Sequence, residues 1–168
     1  MILRCDVCGV EMTRSEATVA DPYHFKLSGL PNVFLVGIDV RRCPQCRAEI
    51  PLVPRMAQLT QTIAKSLIEK PTALTGDELR FLRKFAGMQS KEFAAQIRVD
   101  PSTYSRVETG KQELGGPAEK LARAVAAHKR HMKEIRDVVL NAEQAGEAKW
   151  ERIVLEPTAR GWREKDAA

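Results

Sequence analysis

The sequence predicts an α+β fold: a small β-rich, metal-bound module at the N-terminus, a linking helix, and an all-α domain with an extended C-terminal helix. Three observations carry this. All four cysteines lie within the first 50 residues, arranged as two CxxC pairs. The stretch VFLVGIDVRR, running up to Cys43, is rich in β-branched residues and follows the turn-like GLPN, so it reads as a strand of a small sheet. From Asp77 onward apolar residues recur at helical spacing, punctuated at Gly87, at Asp100-Pro101 and at Gly110.

The bulk properties agree. A chain of 168 residues suits one ordinary domain or two small ones, and an apolar fraction of 43% with 29% charged residues is that of a globular protein. No apolar run approaches the roughly 20 residues of a membrane span. The start, MILRCDVCGV, lacks the basic, apolar and cleavage regions of a secretory signal. A cytoplasmic location without membrane partners is expected, and thiols in a reducing compartment more often bind metal than form disulfides. Residues 1–79 carry 9 basic and 9 acidic side chains, whereas residues 80–136 carry 13 and 6. That concentration of positive charge suits a phosphate-binding domain, though solvated helix faces would also produce it.

Tyr23 to Leu27 is a plausible partner strand for the β-branched stretch. Met56, Leu59, Ile63 and Leu67 recur at spacings of three and four, which predicts one amphipathic helix from about Pro54 to Glu69. Pro54 suits its start and Pro71 cannot continue it. KPTALTG reads as a hinge. After Gly115-Gly116-Pro117 a long helical run extends to about Gln144, and the mixed tail from Trp150 carries no assignable pattern. The expected organisation is a four-cysteine module over residues 1–53, a linking helix and hinge over 54–76, a helical domain over 77–145, and a tail over 146–168.

Cys5-Asp-Val-Cys8-Gly and Cys43-Pro-Gln-Cys46 can each supply two thiolates from one tight knuckle, and together the four that a tetrahedral structural zinc ion takes. Gly9 would let the chain turn back toward sulfur; Arg47 stands where a second knuckle glycine would be expected. The gap between the pairs exceeds usual zinc-ribbon spacing but can hold the two strands. A redox pair, iron held as in rubredoxin-like carriers, and unconnected core thiols are the competing readings. A closed tetrathiolate site has no open position, so its metal would fold the module and not catalyse. His24, between the pairs, reads as a surface or core histidine.

In LRFLRKFAGMQSKEFAAQIRVDPSTYSRVETGK, Leu79, Leu82 and Phe85 would line a first helix ended by Gly87. Phe93, Ala94 and Ile97 would face the core from a second. Asp100 with Pro101 supplies a cap followed by the proline favoured at a first helical position. The third helix, about Pro101 to Glu108, would bury Tyr104 and Val107 and show Ser102, Thr103, Ser105 and Arg106 outward. Such a short polar face suits a DNA major groove.

This segment resembles the Xre/Cro-type helix-turn-helix domain at Leu82-Arg83, Gly87-Met88, Phe93-Ala94, Val99 and Ser105 through Gly110. It departs at Gln89-Ser90, where Ser/Thr-Gln is usual, at Arg98, which replaces a turn glycine, and in the loop LGGP, which lacks basic residues. The resemblance implies a structural ion pair between Arg83 and Glu108. It makes Ser102, Thr103 and Arg106 candidates for base readout, and Ser90, Lys91 and Lys111 candidates for phosphate contact.

The whole arrangement, with Tyr23 and Val36-Gly37-Ile38 before the second pair, resembles the MqsA-type antitoxins, also described as YgiT-type zinc-finger/helix-turn-helix proteins. The similarity covers about residues 1–130. It implies a zinc module that binds a protein toxin and a helix-turn-helix homodimer that represses its own operon from a palindromic site on double-stranded DNA. A zinc-containing Xre-type regulator without a toxin is the alternative. An enzyme is not expected: no Walker loop, nucleophile elbow, cysteine–histidine pairing or Glu/His zinc motif is present. Leu121, Val125, His128, Met132, Ile135 and Val139 form an apolar stripe suited to dimerisation or to packing within the domain.

Overall fold

The computed structural model describes residues 3–129 and 151–165. It bears out the mixed α+β class, with a β-rich N-terminal part followed by helices. The chain divides into two compact units, one of Met1–Lys26, Pro31–Leu59 and Arg152–Ala168, the other of Leu27–Leu30 and Thr60–Glu151.

The first unit holds two sheets. β1 (Thr13–Glu16), β4 (Asp39–Arg42) and β5 (Glu49–Leu52) form an antiparallel sheet in that order, reversed between β4 and β5 by the second cysteine pair. β2 (Tyr23–His24) and β3 (Val33–Leu35) form an antiparallel pair in the other, joined by a 3-10 turn over Lys26–Ser28. The stretch expected as one strand up to Cys43 is therefore two. Gly37, at φ 68, turns the chain from one sheet into the other, a conformation that costs glycine nothing. β-branched composition reports suitability for a pleated surface and is blind to such a switch.

The segment that had no assignable pattern completes the second sheet. β6 (Ile153–Thr158) pairs in parallel with β3, Val33 opposite Ile153 and Leu35 opposite Leu155, and β7 (Gly161–Glu164) pairs antiparallel with β6. Val33, Leu35, Ile153 and Leu155 are buried, and the Trp162 indole N–H donates to the Pro54 carbonyl at 2.9 Å.

α1 (Met56–Glu69) begins in the first unit, and the second contains α2 (Gly76–Phe85), α3 (Ser90–Gln96), α4 (Pro101–Glu108) and α5 (Gly116–Lys129). Leu79, Leu82, Phe93, Ala94, Ile97, Tyr104 and Val107 are buried, with Phe93 and Tyr104 ring centroids 5.5 Å apart. Thr75 and Glu78 form a reciprocal capping box at the start of α2. α2, α3 and α4 all end in the same turn, in which two successive N–H groups reach back to carbonyls of the last helical turn. Its left-handed residue is Gly87 at φ 71, Arg98 at φ 57 and Gly110 at φ 71 respectively. The left-handed backbone at Arg98 costs about 1–2 kcal/mol that glycine would avoid. Gly76 is required for a different reason. A Cβ there would meet the Val107 carbonyl oxygen at 2.2 Å, so α2 can start against the end of α4 only with no side chain at that position.

The helical run expected to reach Gln144 is described as far as Lys129. Of the apolar stripe, Leu121 and His128 are exposed and Val125 is half-buried; Met132, Ile135 and Val139 lie outside the described residues.

Candidate metal centre and nucleic-acid interface

Both cysteine knuckles have the same local design. In the first, the Gly9 N–H donates to the Cys5 carbonyl at 2.8 Å and the Cys5 N–H to the Val10 carbonyl at 2.9 Å. In the second, Arg47 donates to Cys43 at 3.1 Å and Cys43 to Ala48 at 2.9 Å. Gly9 at φ 73 and Arg47 at φ 60 occupy equivalent left-handed positions, so the second knuckle makes the turn without glycine.

The knuckles bring Cys5, Cys8, Cys43 and Cys46 together, all four sulfurs lying within 4.8 Å of one another. Cys5 and Cys46 sulfurs are 3.4 Å apart, Cys8 and Cys43 sulfurs 3.3 Å. Four thiolates at about 2.3 Å from a zinc ion would stand about 3.8 Å from one another, so the cluster has the size the metal requires. Its electrostatics point the same way. The Cys46 N–H lowers the Cys43 thiol to about 6. The Ala48 N–H also favours a Cys46 thiolate, yet the Cys5 and Cys43 sulfurs beside it push that thiol up to about 12. Four crowded thiols oppose each other's ionisation, and a divalent cation at their centre removes the conflict. The donor set fits a tetrathiolate metal. Met12, Val10 and Ala48 pack around the sulfurs, giving the module a very small apolar core of its own. His24 is not among the clustered ligands; its ring stacks on Phe34 at 5.1 Å.

In the helical unit α4 divides into two faces. Tyr104 and Val107 are buried, whereas Ser102, Ser105 and Arg106 are exposed and Thr103 is half-buried. Asp100, at the N-cap, accepts from the Ser102 N–H at 2.8 Å and from the Ser102 hydroxyl at 2.6 Å. The Ser102 hydroxyl proton is therefore directed at the cap, which leaves its oxygen lone pairs facing outward as acceptors. Arg106 reaches Thr103 Oγ1 at 3.4 Å and otherwise extends from the exposed face.

Arg83 and Glu108 form an ion pair, Nε to Oε1 2.7 Å, about seven-eighths buried on each side. Arg83 also donates to the Met88 carbonyl at 3.0 Å, and Arg80 to the Glu108 carbonyl, so α2 holds the end of α4 through two guanidinium groups. Lys91 and Lys111 are exposed; Ser90 is half-buried at the start of α3, where Gln89 occupies the N-cap without a side-chain cap bond.

Two buried ion pairs had no signature beyond ordinary helical charge spacing. Lys70 Nζ lies 2.8 Å from Glu78, and burial pushes the Glu78 carboxyl upward against the opposing pull of Lys70 and the Thr75 N–H. Arg123 is fully buried, bonded to Glu119 at 2.7 Å and to the carbonyls of Leu67, Ile68, Lys70 and Thr72. The Glu119–Arg123 spacing of four could have been read as a helical pair; that it faces inward could not.

The fold and these groups define a chain that couples a four-cysteine module to a helix-turn-helix domain. Residues 79–124 match the Helix-turn-helix family, which supports a DNA-binding transcriptional regulator. No curated protein matches the chain. No helix among the described residues is long and apolar enough to cross a membrane.

Proposed function

We propose that the protein is a sequence-specific transcriptional repressor, cytoplasmic and dimeric, in which α4 reads bases from the major groove and one structural zinc ion folds the cysteine module. The observation that carries the reading is the division of α4: Tyr104 and Val107 anchor it while Ser102, Thr103 and Arg106 stand outward, within a matched helix-turn-helix segment. Arg106 can bond guanine O6 and N7 together, worth roughly 1–3 kcal/mol of discrimination. Ser90, Lys91 and Lys111 are the proposed phosphate contacts, which orient α4 without reading sequence. A palindromic operator read by a homodimer supplies the specificity that one short helix lacks.

The resemblance to MqsA-type antitoxins supports a finer role: the zinc module binds a toxin protein and the repressor controls its own operon. A regulator without a toxin is favoured by one observation, the β6–β7 hairpin, which lies beyond the span of the resemblance and completes the sheet of the first unit. Co-purification with the product of an adjacent reading frame separates the two roles.

The DNA reading is tested by selecting duplexes from a random library and comparing Arg106→Ala with Lys111→Ala. Arg106→Ala is expected to lose about 5- to 150-fold per half-site on the selected site and little on random duplex, whereas Lys111→Ala weakens both alike. Equal losses on the two duplexes for Arg106→Ala remove the readout assignment.

A further inference from the structure

Among the described residues, those with a left-handed backbone that are not glycine are Arg47, Arg55 and Arg98, all arginine. Asn and Asp tolerate this conformation best, so arginine at these positions carries a backbone cost that its side chain can offset. Arg55 shows one such use, donating to the Thr158 carbonyl at 2.6 Å. Arg98 shows none among the described residues: its side chain is exposed and makes no hydrogen bond or ion pair with any of them. It occupies the turn position that Gly87 and Gly110 fill at the ends of α2 and α4.

Its surroundings indicate what the charge is for. Asp100, two residues on, carries a carboxylate at the leading end of α4, committed to Ser102 and Thr103. The first turn of α4 holds no cation, and Arg106 lies in the last. The Asp100 carboxylate opposes the attraction of that helix end for the phosphates that wall a groove, and a cation beside it lowers the repulsion. We propose that Arg98 is that cation: a DNA phosphate contact that flanks α4 and offsets Asp100. Consecutive Cα atoms lie about 3.8 Å apart, so the Arg98 Cα is within about 8 Å of that of Asp100. A long arginine side chain at that position has the reach needed for a phosphate beside a groove about 12 Å wide. The proposal rests on the reading of α4 as the groove-bound helix.

The test uses the full-length, zinc-loaded protein and a random-sequence duplex of about 30 base pairs, because a phosphate contact is indifferent to sequence. Binding is followed between about 50 and 200 mM salt, and each variant is also melted. Arg98→Gly is expected to melt roughly 2–6 °C higher, by relief of the left-handed strain, yet to bind several-fold more weakly, with a salt slope shallower by about 0.9 for each bound protomer. Arg98→Lys is expected to keep the wild-type slope. If Arg98→Gly binds with wild-type affinity and slope, or if Arg98→Lys loses as much as Arg98→Gly, the contact is overturned. Failure of the wild-type chain to bind any duplex instead overturns the underlying DNA reading, and Arg98 with it.

Discussion

Asp100 sets where α4 begins, because its carboxylate accepts from Ser102 and Thr103 while Pro101 fixes the first helical φ. The Ser102 hydroxyl, then the Ser102 and Thr103 N–H groups, hold this carboxyl below its ordinary value of 3.8. A lowered folded-state value means the unfolded chain takes up the proton first as pH falls. The stabilisation is thus fully present above about pH 4–5 and is lost as pH drops through the lowered value. Unfolding followed against pH should show this loss in the wild type and less of it in Asp100→Asn, which keeps the cap but cannot titrate. Identical pH profiles would exclude the role. Asp100-Pro101 was legible in the sequence, since capping is a dialogue between neighbours. Arg98 was legible only as a missing glycine; its left-handed backbone, and a side chain without a partner among the described residues, emerged from the folded turn.

For single elements, the least legible feature is how α1 ends. Helix C-termini leave carbonyls without partners, and here a guanidinium from α5 reaches the carbonyls of Leu67 and Ile68, then those of Lys70 and Thr72. Arg123→Met would strand these carbonyls and leave Glu119 buried without its counter-charge. A loss of about 3–5 kcal/mol is expected in denaturant unfolding of the helical unit. A loss under about 1 kcal/mol would show that the four carbonyls find other partners. Apolar periodicity located α1, because Leu59, Ile63 and Leu67 share a face whatever they pack against. It could not place Arg123, since a charged residue at helical spacing reads as solvated until its partners are known. The β-branched stretch before Cys43 had the same weakness: its composition was right for strand, and its division between two sheets depended on Gly37.

At the scale of the molecule, the first unit is assembled from both ends of the chain. β3 lies between β2 and β6, so the hairpin at residues 153–164 is part of its sheet and not an appendage. Among the described residues the cysteine module within that unit has a small apolar core of its own, Cys5, Met12 and Cys43 with Cys8, Val10 and Ala48 packed against them. Deletion of residues 151–168, and removal of zinc by a strong chelator, are each expected to unfold this unit. The helical unit should continue to melt as a separate cooperative transition, followed by heteronuclear NMR or limited proteolysis. Retention of protected β3 amides after the deletion would sink the assignment of the hairpin as a structural strand pair. Dimerisation belongs at this scale as well, and part of the apolar stripe proposed for it lies outside the described residues.

The amino-acid sequence alone determined the features that depend on near neighbours. These are the two cysteine knuckles as one four-ligand set, the amphipathic α1, the limits of α4 and its polar outer face. Tertiary structure decided which strand β6 joins, which carbonyls Arg123 satisfies and how closely Gly76 approaches α4. The physical reason is separation along the chain. Spacing of a few residues is enforced by helix and turn geometry and leaves a pattern. A contact such as Trp162 to Pro54, 108 positions apart, leaves none, because any of many buried surfaces could complete it and only the assembled core selects one.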